Sequence, residues 1–216
     1  MNIDLARRQM IEQQVRAWDV LDPAVLDVLG AVPRERFVPA AYAALAFADT
    51  EIPIGHGEAM MTPTVEGRLL QSLGIGDGDR ILEIGTGTGF LAACIARLGA
   101  RVTSIDIHED FIRQATRNLD AVGIDGVDIV KMDAMQSLPE GPFDAIAVTG
   151  SLHAFDARFV EALTIGGQLF VVVGDEPVME ARRVVRTTGT EWISETLFET
   201  RLKPLVHAAA PPAFRF

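Results

Sequence analysis

The chain has 216 residues, 49% of them apolar, which suits one α/β domain with a sizeable buried core. Its 19 basic residues against 30 acidic ones leave a net charge of −11, a surface that repels phosphate backbones and anionic membranes, so neither nucleic acid nor membrane is expected as a partner. A single cysteine, Cys94, leaves no internal disulfide and fits a reducing, cytoplasmic setting; Met1-Asn2-Ile3-Asp4 opens without an apolar signal core, and no run reaches the length of a membrane span.

Ile11, Val15 and Trp18 recur at helical spacing opposite Gln9, Gln13 and Arg16, which predicts an amphipathic first helix. Asp22-Pro23 is an N-cap with proline at the first helical position, ahead of Val25, Leu26 and Leu29. Pro33, Pro39 and Pro53 break residues 32–61 into loops and short helices, and Thr62-Pro63 repeats the cap-then-proline signal for a helix ending near Leu73. Gly74, Gly76 and Gly78 mark a boundary between a helical region, 1–77, and a β-rich remainder. From Asp79 short β-rich runs alternate with helices: strands at 80–84, 101–107, 127–131 and 143–148, a helix near Phe90–Leu98, and another with Ile112, Ala115, Leu119 and Val122 on one face, stopping at Gly123. That alternation predicts βαβ units and a mostly parallel sheet with helices on both faces, completed by antiparallel strands at 167–173, around Val184 and at 192–200.

The stretch from Ile81 to Phe90 carries the most chemistry. A strand runs into Gly85-Thr86-Gly87-Thr88-Gly89 and a helix leaves it. Glycine permits positive φ and lets a ligand approach without a Cβ in the way, and the helix start favours an anionic group. Asp106 ends the next strand, at about the spacing where an acid accepts both ribose hydroxyls. A dinucleotide fingerprint wants its third glycine where this chain has Phe90. The tighter G-x-G-x-G turn suits the amino-acid end of S-adenosylmethionine, which has no pyrophosphate, and Glu83 can face that ligand's ammonium group. A dinucleotide and a purely structural turn are the competing readings. Asp133, just past the third strand, is placed to accept the adenine amino group or, alternatively, to cap the helical turn at 134–137. Thr149 follows the fourth strand, where open α/β sheets put the mouth of the ligand crevice.

Met10-Ile11-Glu12-Gln13-Gln14-Val15-Arg16, Val32-Pro33-Arg34-Glu35-Arg36-Phe37-Val38-Pro39, Ala46-Phe47-Ala48-Asp49 and Ile52-Pro53-Ile54-Gly55 resemble signatures of the protein-L-isoaspartate O-methyltransferase family, and the resemblance covers nearly the whole chain. It implies a Rossmann-like class I methyltransferase fold in a single domain, with a helical cap and substrate loop over 1–77 and a seven-stranded sheet binding S-adenosylmethionine over 78–216. It also implies cofactor contacts from Glu83, Gly85, Thr86, Gly87, Gly89, Asp106, Ile107, Asp133, Ala134 and Thr149, helped by the Pro63-Thr64 turn. The implied reaction is methyl transfer to the carboxylate of an isomerised aspartate in a protein or peptide, the first step of protein repair, by a monomer or homodimer. Such a carboxylate, with a pKa near ~4, is already ionised at neutral pH, so no general base and no metal are needed.

One loop departs from the family pattern. Where the family has a glycine, a glutamine and then Thr-Ile-Ser before proline, this chain reads Gly57-Glu58-Ala59-Met60-Met61-Thr62-Pro63. The serine that serves the substrate carboxylate falls on Met61, which has no donor; losing a donor to a charged group costs about 1.5–3 kcal/mol. Thr62 is a substitute only if the loop shifts by one residue. Glu58 adds a negative charge, and at ~6 Å from the substrate with an effective dielectric of about 20 the repulsion is near ~3 kcal/mol. Ile54, His56, Glu58, Met60, Met61 and Thr62 are therefore the candidate substrate residues, with Met60 and Met61 either lining a pocket or filling the core. A methyltransferase for a different acceptor, a small molecule included, and a cofactor-binding interaction module without turnover are the alternatives. His108, His153 and His207 lack metal-ligand spacing and read as structural or exposed. The tail Pro211–Phe216 is expected to dock on a partner subunit or on its own domain.

Overall fold

A computed structural model describes residues 2–209; the tail at 211–216 lies outside the described residues. In chain order the elements are α1 (Ile3–Met10), α2 (Pro23–Ala31), β1 (Ile52–Gly55), β2 (Glu58–Met60), α3 (Pro63–Leu73), β3 (Arg80–Ile84), α4 (Phe90–Arg97), β4 (Arg101–Asp106), α5 (Glu109–Val122), β5 (Val127–Lys131), β6 (Phe143–Leu152), α6 (Ala157–Glu161), β7 (Leu163–Asp175), β8 (Val178–Arg186) and β9 (Trp192–Glu199). The capping signals act where the sequence puts them. Asp22 accepts the Ala24 N–H, Thr62 accepts that of Val65, and Gly74 and Gly123 end α3 and α5 in the left-handed region.

The main sheet has seven strands in the order β5-β4-β3-β6-β7-β8-β9. The pairs from β5 to β7 are parallel, and β8 and β9 add antiparallel hairpins at one edge. Side chains alternate across the sheet as strand geometry requires: Phe170 and Val172 join the core under α3 and α4, whereas Leu169 and Val171 join a second core that includes Phe159 and Val160 of α6. The first core also takes in Met10, Val15, Leu29 and Phe37 from the N-terminal helices, so cap and sheet share one apolar interior. Gln168 Nε2 donates to the Leu73 carbonyl at 3.0 Å, tying the end of α3 to β7 just before the glycine-rich connection.

Three expectations are corrected. The first helix is interrupted: α1 passes into a π-turn at Ile11–Val15 and a 3-10 turn at Arg16–Trp18, and Trp18 ends 48% exposed instead of on the buried face. On α5, Phe111, Ala115, Asn118 and Leu119 are the buried positions and Ile112 lies at the margin, a rotation of the apolar face by one residue. Residues 32–61 hold the expected short helices, at Arg34–Arg36 and Ala40–Leu45, but also the β1–β2 hairpin. Its strands are four and three residues long, too short to show a period of two.

Candidate active site

Chain order reverses direction across the sheet beside β3, and open α/β sheets hold their ligand crevice at such a point. A cavity of about 220 Å³ opens there, past the ends of β3, β4 and β6. Gly85 and Gly87 form part of its wall with positive φ of 98° and 51°. A Cβ on Gly85 would run into the Thr149 hydroxyl, and one on Gly87 would come 3.2 Å from Ile54 Cδ1. The turn is held from below, since the Gly85 N–H donates to the Ile105 carbonyl at 2.9 Å and Thr149 Oγ1 reaches the carbonyls of Ile84 (2.9 Å) and Gly85 (3.0 Å).

Asp106 sits beside the turn at the end of β4, nearly buried, and its two oxygens are each fixed by a backbone donor. The Gly87 N–H donates to Oδ2 at 3.0 Å and the His108 N–H to Oδ1 at 2.9 Å. Each oxygen keeps a lone pair for a ligand hydroxyl. Asp133 caps its own turn, accepting from the Met135 N–H (2.9 Å) and Gln136 Nε2 (2.8 Å), and also meets His207 Nδ1 at 2.7 Å. Burial alone pushes the Asp133 carboxyl up, but the hydrogen bonds from His207 and Met135, with the histidine's charge and Gln136, outweigh it and hold the group below its usual range. Asp133 therefore caps its turn and also lines the cavity.

Of the residues singled out in the sequence, Gly85, Gly87, Asp106, Ile107, Asp133, Ala134, Thr149, Ile54, Glu58 and Met61 line this one cavity. The others lie beside it. Glu83 is buried under the turn instead of facing the cavity: Ser104 Oγ donates to its Oε2, Thr86 Oγ1 joins Ser104 at 2.6 Å, and Oε1 has no partner. Burial pushes the Glu83 carboxyl up to about 8 despite the serine hydrogen bond. Gly89 serves packing, because a Cβ there would lie 3.0 Å from that of Ala115 on α5. Phe90, which the dinucleotide fingerprint cannot accommodate, turns into the cap, edge-on to Phe37 at 5.6 Å and under the Arg34 guanidinium at 4.7 Å.

The substrate-loop candidates also divide. Met61 lines the cavity, whereas Met60 is a core residue paired with Ile52 in the hairpin. Thr62 Oγ1 caps α3 and meets Thr64 Oγ1 at 2.9 Å, and Thr64 Oγ1 donates to Asp49 at 2.8 Å, so the Thr62-Pro63-Thr64 turn supports the loop from behind. Arg34, fully buried, braces the same turn by donating to the carbonyls of Met61 (2.8 Å) and Ala46 (3.0 Å) and pairing with Glu66. His56, at the hairpin tip, stacks on His108 with centroids 4.0 Å apart and bonds Asp110 Oδ2 at 2.8 Å through Nε2. The two histidines, read separately in the sequence, are neighbours that pin the hairpin to the start of α5, and His108 rather than His56 lines the cavity.

Sequence reasoning missed the segment Leu202–Val206, which lines the cavity and is fixed to the end of β6. The Ser151 N–H donates to the Lys203 carbonyl (2.7 Å), Ser151 Oγ to the Leu202 carbonyl (2.8 Å), and the Leu205 N–H to the Ser151 carbonyl (2.9 Å). No local signal marks this segment, since the contacts span about 50 residues.

A model of the protein-L-isoaspartate(D-aspartate) O-methyltransferase family matches residues 6–210. The chain belongs to that family. It is 36% identical over 207 residues to the protein-L-isoaspartate O-methyltransferase of Syntrophotalea carbinolica, covering 95% of both chains. With that of Methylorubrum populi it shares 38% over 204 residues, 94% of this chain and 96% of the relative. A protein-L-isoaspartate O-methyltransferase structure from Plasmodium falciparum, in complex with S-adenosyl-L-homocysteine, superposes with a TM-score of 0.80 over 95% of this chain and 98% of that one, at 20% identity, which shows the shared fold. By family and fold the protein is a class I S-adenosylmethionine-dependent methyltransferase. The cavity fits that cofactor on its own evidence. Among the described residues its lining carries the carboxylates of Glu51, Glu58, Asp106 and Asp133 and one permanent cation, Lys203, an environment that favours a sulfonium and repels a pyrophosphate.

Proposed function

We propose that this protein methylates the carboxylate of isomerised aspartyl residues in proteins and peptides. The chain would act as a single domain in which residues 1–77 supply the cap and substrate loop and 78–216 the sheet, as a cytoplasmic monomer or homodimer that takes no nucleic acid. Among the described residues no helix is long and apolar enough to cross a membrane.

The observation that carries the reading is the Asp106 carboxylate, oriented by the Gly87 and His108 N–H groups beside the glycine turn, in a cavity that the hairpin and the Leu202–Val206 segment also line. Asp106 would hold the ribose hydroxyls, the glycines the amino-acid end, and Ile107, Ala134 and Thr149 the remaining surface. When bound, S-adenosylmethionine supplies an electrophilic methyl group on a sulfonium. The protein's own tasks are then positioning and exclusion of water. Ile54, Met61 and Phe111 make the acceptor side of the cavity apolar, which strips water from an incoming carboxylate and leaves it more nucleophilic. The acceptor enters already ionised, so the absence of a base among these residues is no obstacle.

Labelled-methyl transfer to an isoaspartyl peptide, paired with calorimetry against S-adenosylmethionine and NAD, tests the reading. The expected result is heat with the sulfonium nucleoside only, and incorporation of label into the isoaspartyl peptide. Cofactor heat without transfer to that peptide would overturn the acceptor assignment. Met61, placed in the cavity without a hydrogen-bond donor, favours a second reading, an apolar acceptor; label appearing in another component of a cell extract would establish it.

A further inference from the structure

The cavity poses a charge problem. Four carboxylates line it, and the acceptor is itself an anion. Several side chains around the loop do not offset this: Met61 has no donor, the Thr62 hydroxyl caps α3, and the Arg34 nitrogens are engaged by Ala46, Glu66 and Met61 behind the loop. His108 lines the cavity with its Nε2 unpartnered, but its ring is stacked on His56. Lys203 is the permanent cation among the described lining residues.

We propose that Lys203 is the residue that receives the acceptor carboxylate, and that Glu58 is its counter-ion when no acceptor is present. This rests on the acceptor assignment made under the proposed function. The Lys203 backbone is anchored, with its carbonyl bonded to the Ser151 N–H at 2.7 Å and Pro204 bridged to Ser151. Its side chain crosses from that anchor to the hairpin, where Nζ lies 2.8 Å from the point a Cβ on Gly57 would occupy. Gly57, with φ of 73°, thus leaves the room the ammonium uses. Nζ stands 3.7 Å from Glu58 Oε1, with Lys203 56% and Glu58 27% exposed. An ion pair this long and this wet contributes little, so exchanging Glu58 for an incoming carboxylate is inexpensive. The exchange also separates substrate from product. The acceptor is charged and its methyl ester is neutral, so the ester gives Lys203 no counter-charge and Glu58 recovers the ammonium. Glu58, the residue that departs from the family's glutamine, therefore competes weakly with the acceptor for Lys203 and, by recovering the ammonium, favours release of the neutral ester.

Steady-state kinetics on isoaspartyl peptide, with equilibrium binding of the peptide and of its methyl ester, test this in Lys203→Met, Lys203→Arg and Glu58→Gln. Lys203→Met is expected to raise KM by about tenfold or more, the loss of one charge-assisted contact. Its kcat should stay level or rise slightly, because the carboxylate loses charge on the way to the ester and the lysine favours the ground state. Lys203→Arg should recover most of the KM effect, Glu58→Gln should lower KM, and melting temperature should not move. Methyl ester binding should be the same in wild type and Lys203→Met. A wild-type KM in Lys203→Met, or an Arg variant as impaired as the Met variant, overturns the assignment while leaving the family reaction intact. A wild-type enzyme that binds cofactor yet neither methylates nor binds the peptide overturns the acceptor reading itself, a different and recognisable outcome.

Discussion

Gly85 and Gly89 sit four residues apart in one turn and answer to different neighbours. A side chain on Gly85 would collide with the Thr149 hydroxyl that braces the turn, whereas one on Gly89 would press on Ala115 of α5, 3.0 Å from its Cβ and 3.3 Å from its Cα. Both positions also have positive φ, 98° and 84°. Gly85→Ala is therefore expected to weaken S-adenosylmethionine binding at least about tenfold in calorimetry, since the cavity-lining turn must shift off its Thr149 support to clear the clash. Gly89→Ala is expected to act mainly on stability, costing ~1–3 kcal/mol in urea denaturation through overpacking between helices. A stability loss confined to the Gly85 variant and a binding loss confined to the Gly89 variant would reverse this division of roles.

At the scale of elements, the cavity is closed by two pieces that belong to neither the glycine turn nor the sheet: the hairpin and the segment Leu202–Val206. Ser151 holds the second of them with its N–H, its carbonyl and its hydroxyl. Ser151→Ala should leave the backbone contacts in place and remove one buried hydrogen bond, at a cost of about 1 kcal/mol. The expected sign is faster hydrogen exchange at the Leu205 amide with little change at β3 or β4; uniform acceleration would show that the segment is not a separate opening unit. The same distinction between local and distant contacts explains what was legible in the sequence. Caps, helix stops and the glycine turn are local codes, written within a few residues, so α2, α3, β3 and the start of α4 could be placed closely. The lining role of 202–206, the stacking of His56 on His108 and the burial of Glu83 under the turn depend on partners 20 to 50 residues away. No local pattern encodes such contacts. The sequence also marked Glu58 as a difficulty for an anionic acceptor, but not the ammonium beside it, because Lys203 lies far along the chain.

For the molecule as a whole, the apolar core runs without a break from Met10 and Leu29 in the cap to Phe170 and Ala181 in the sheet. Cap and sheet are accordingly expected to unfold together, giving one calorimetric transition whose pH dependence reports on the buried charges of both. Beneath the turn, burial raises Glu83 from 4.5 to about 8. Between those values the unfolded chain has released this proton while the native protein retains it, so stability falls as pH rises across that window. The contribution is complete below about 4.5 and is lost as pH passes about 8. Glu66, raised by burial to about 7 against the pull of Arg34, adds to the same slope but stops contributing sooner. Asp133 and Asp156, whose carboxyls are held low by their hydrogen bonds against the opposing effect of burial, act in the reverse sense, and their contribution disappears only as pH drops through their own acidic range. Glu83 therefore sets the upper end of the alkaline decline. In Glu83→Gln the residue at 83 no longer titrates and can still accept from Ser104, so the decline in melting temperature between about pH 5 and pH 8 should shrink by several degrees, given ~2–4 °C per kcal/mol at this chain length. A variant with the same slope as wild type, together with a carbon-13 titration of Glu83 near its ordinary value, would show that the carboxyl is hydrated in solution and that the buried Thr86–Ser104–Glu83 chain does not stay closed beneath the cofactor turn.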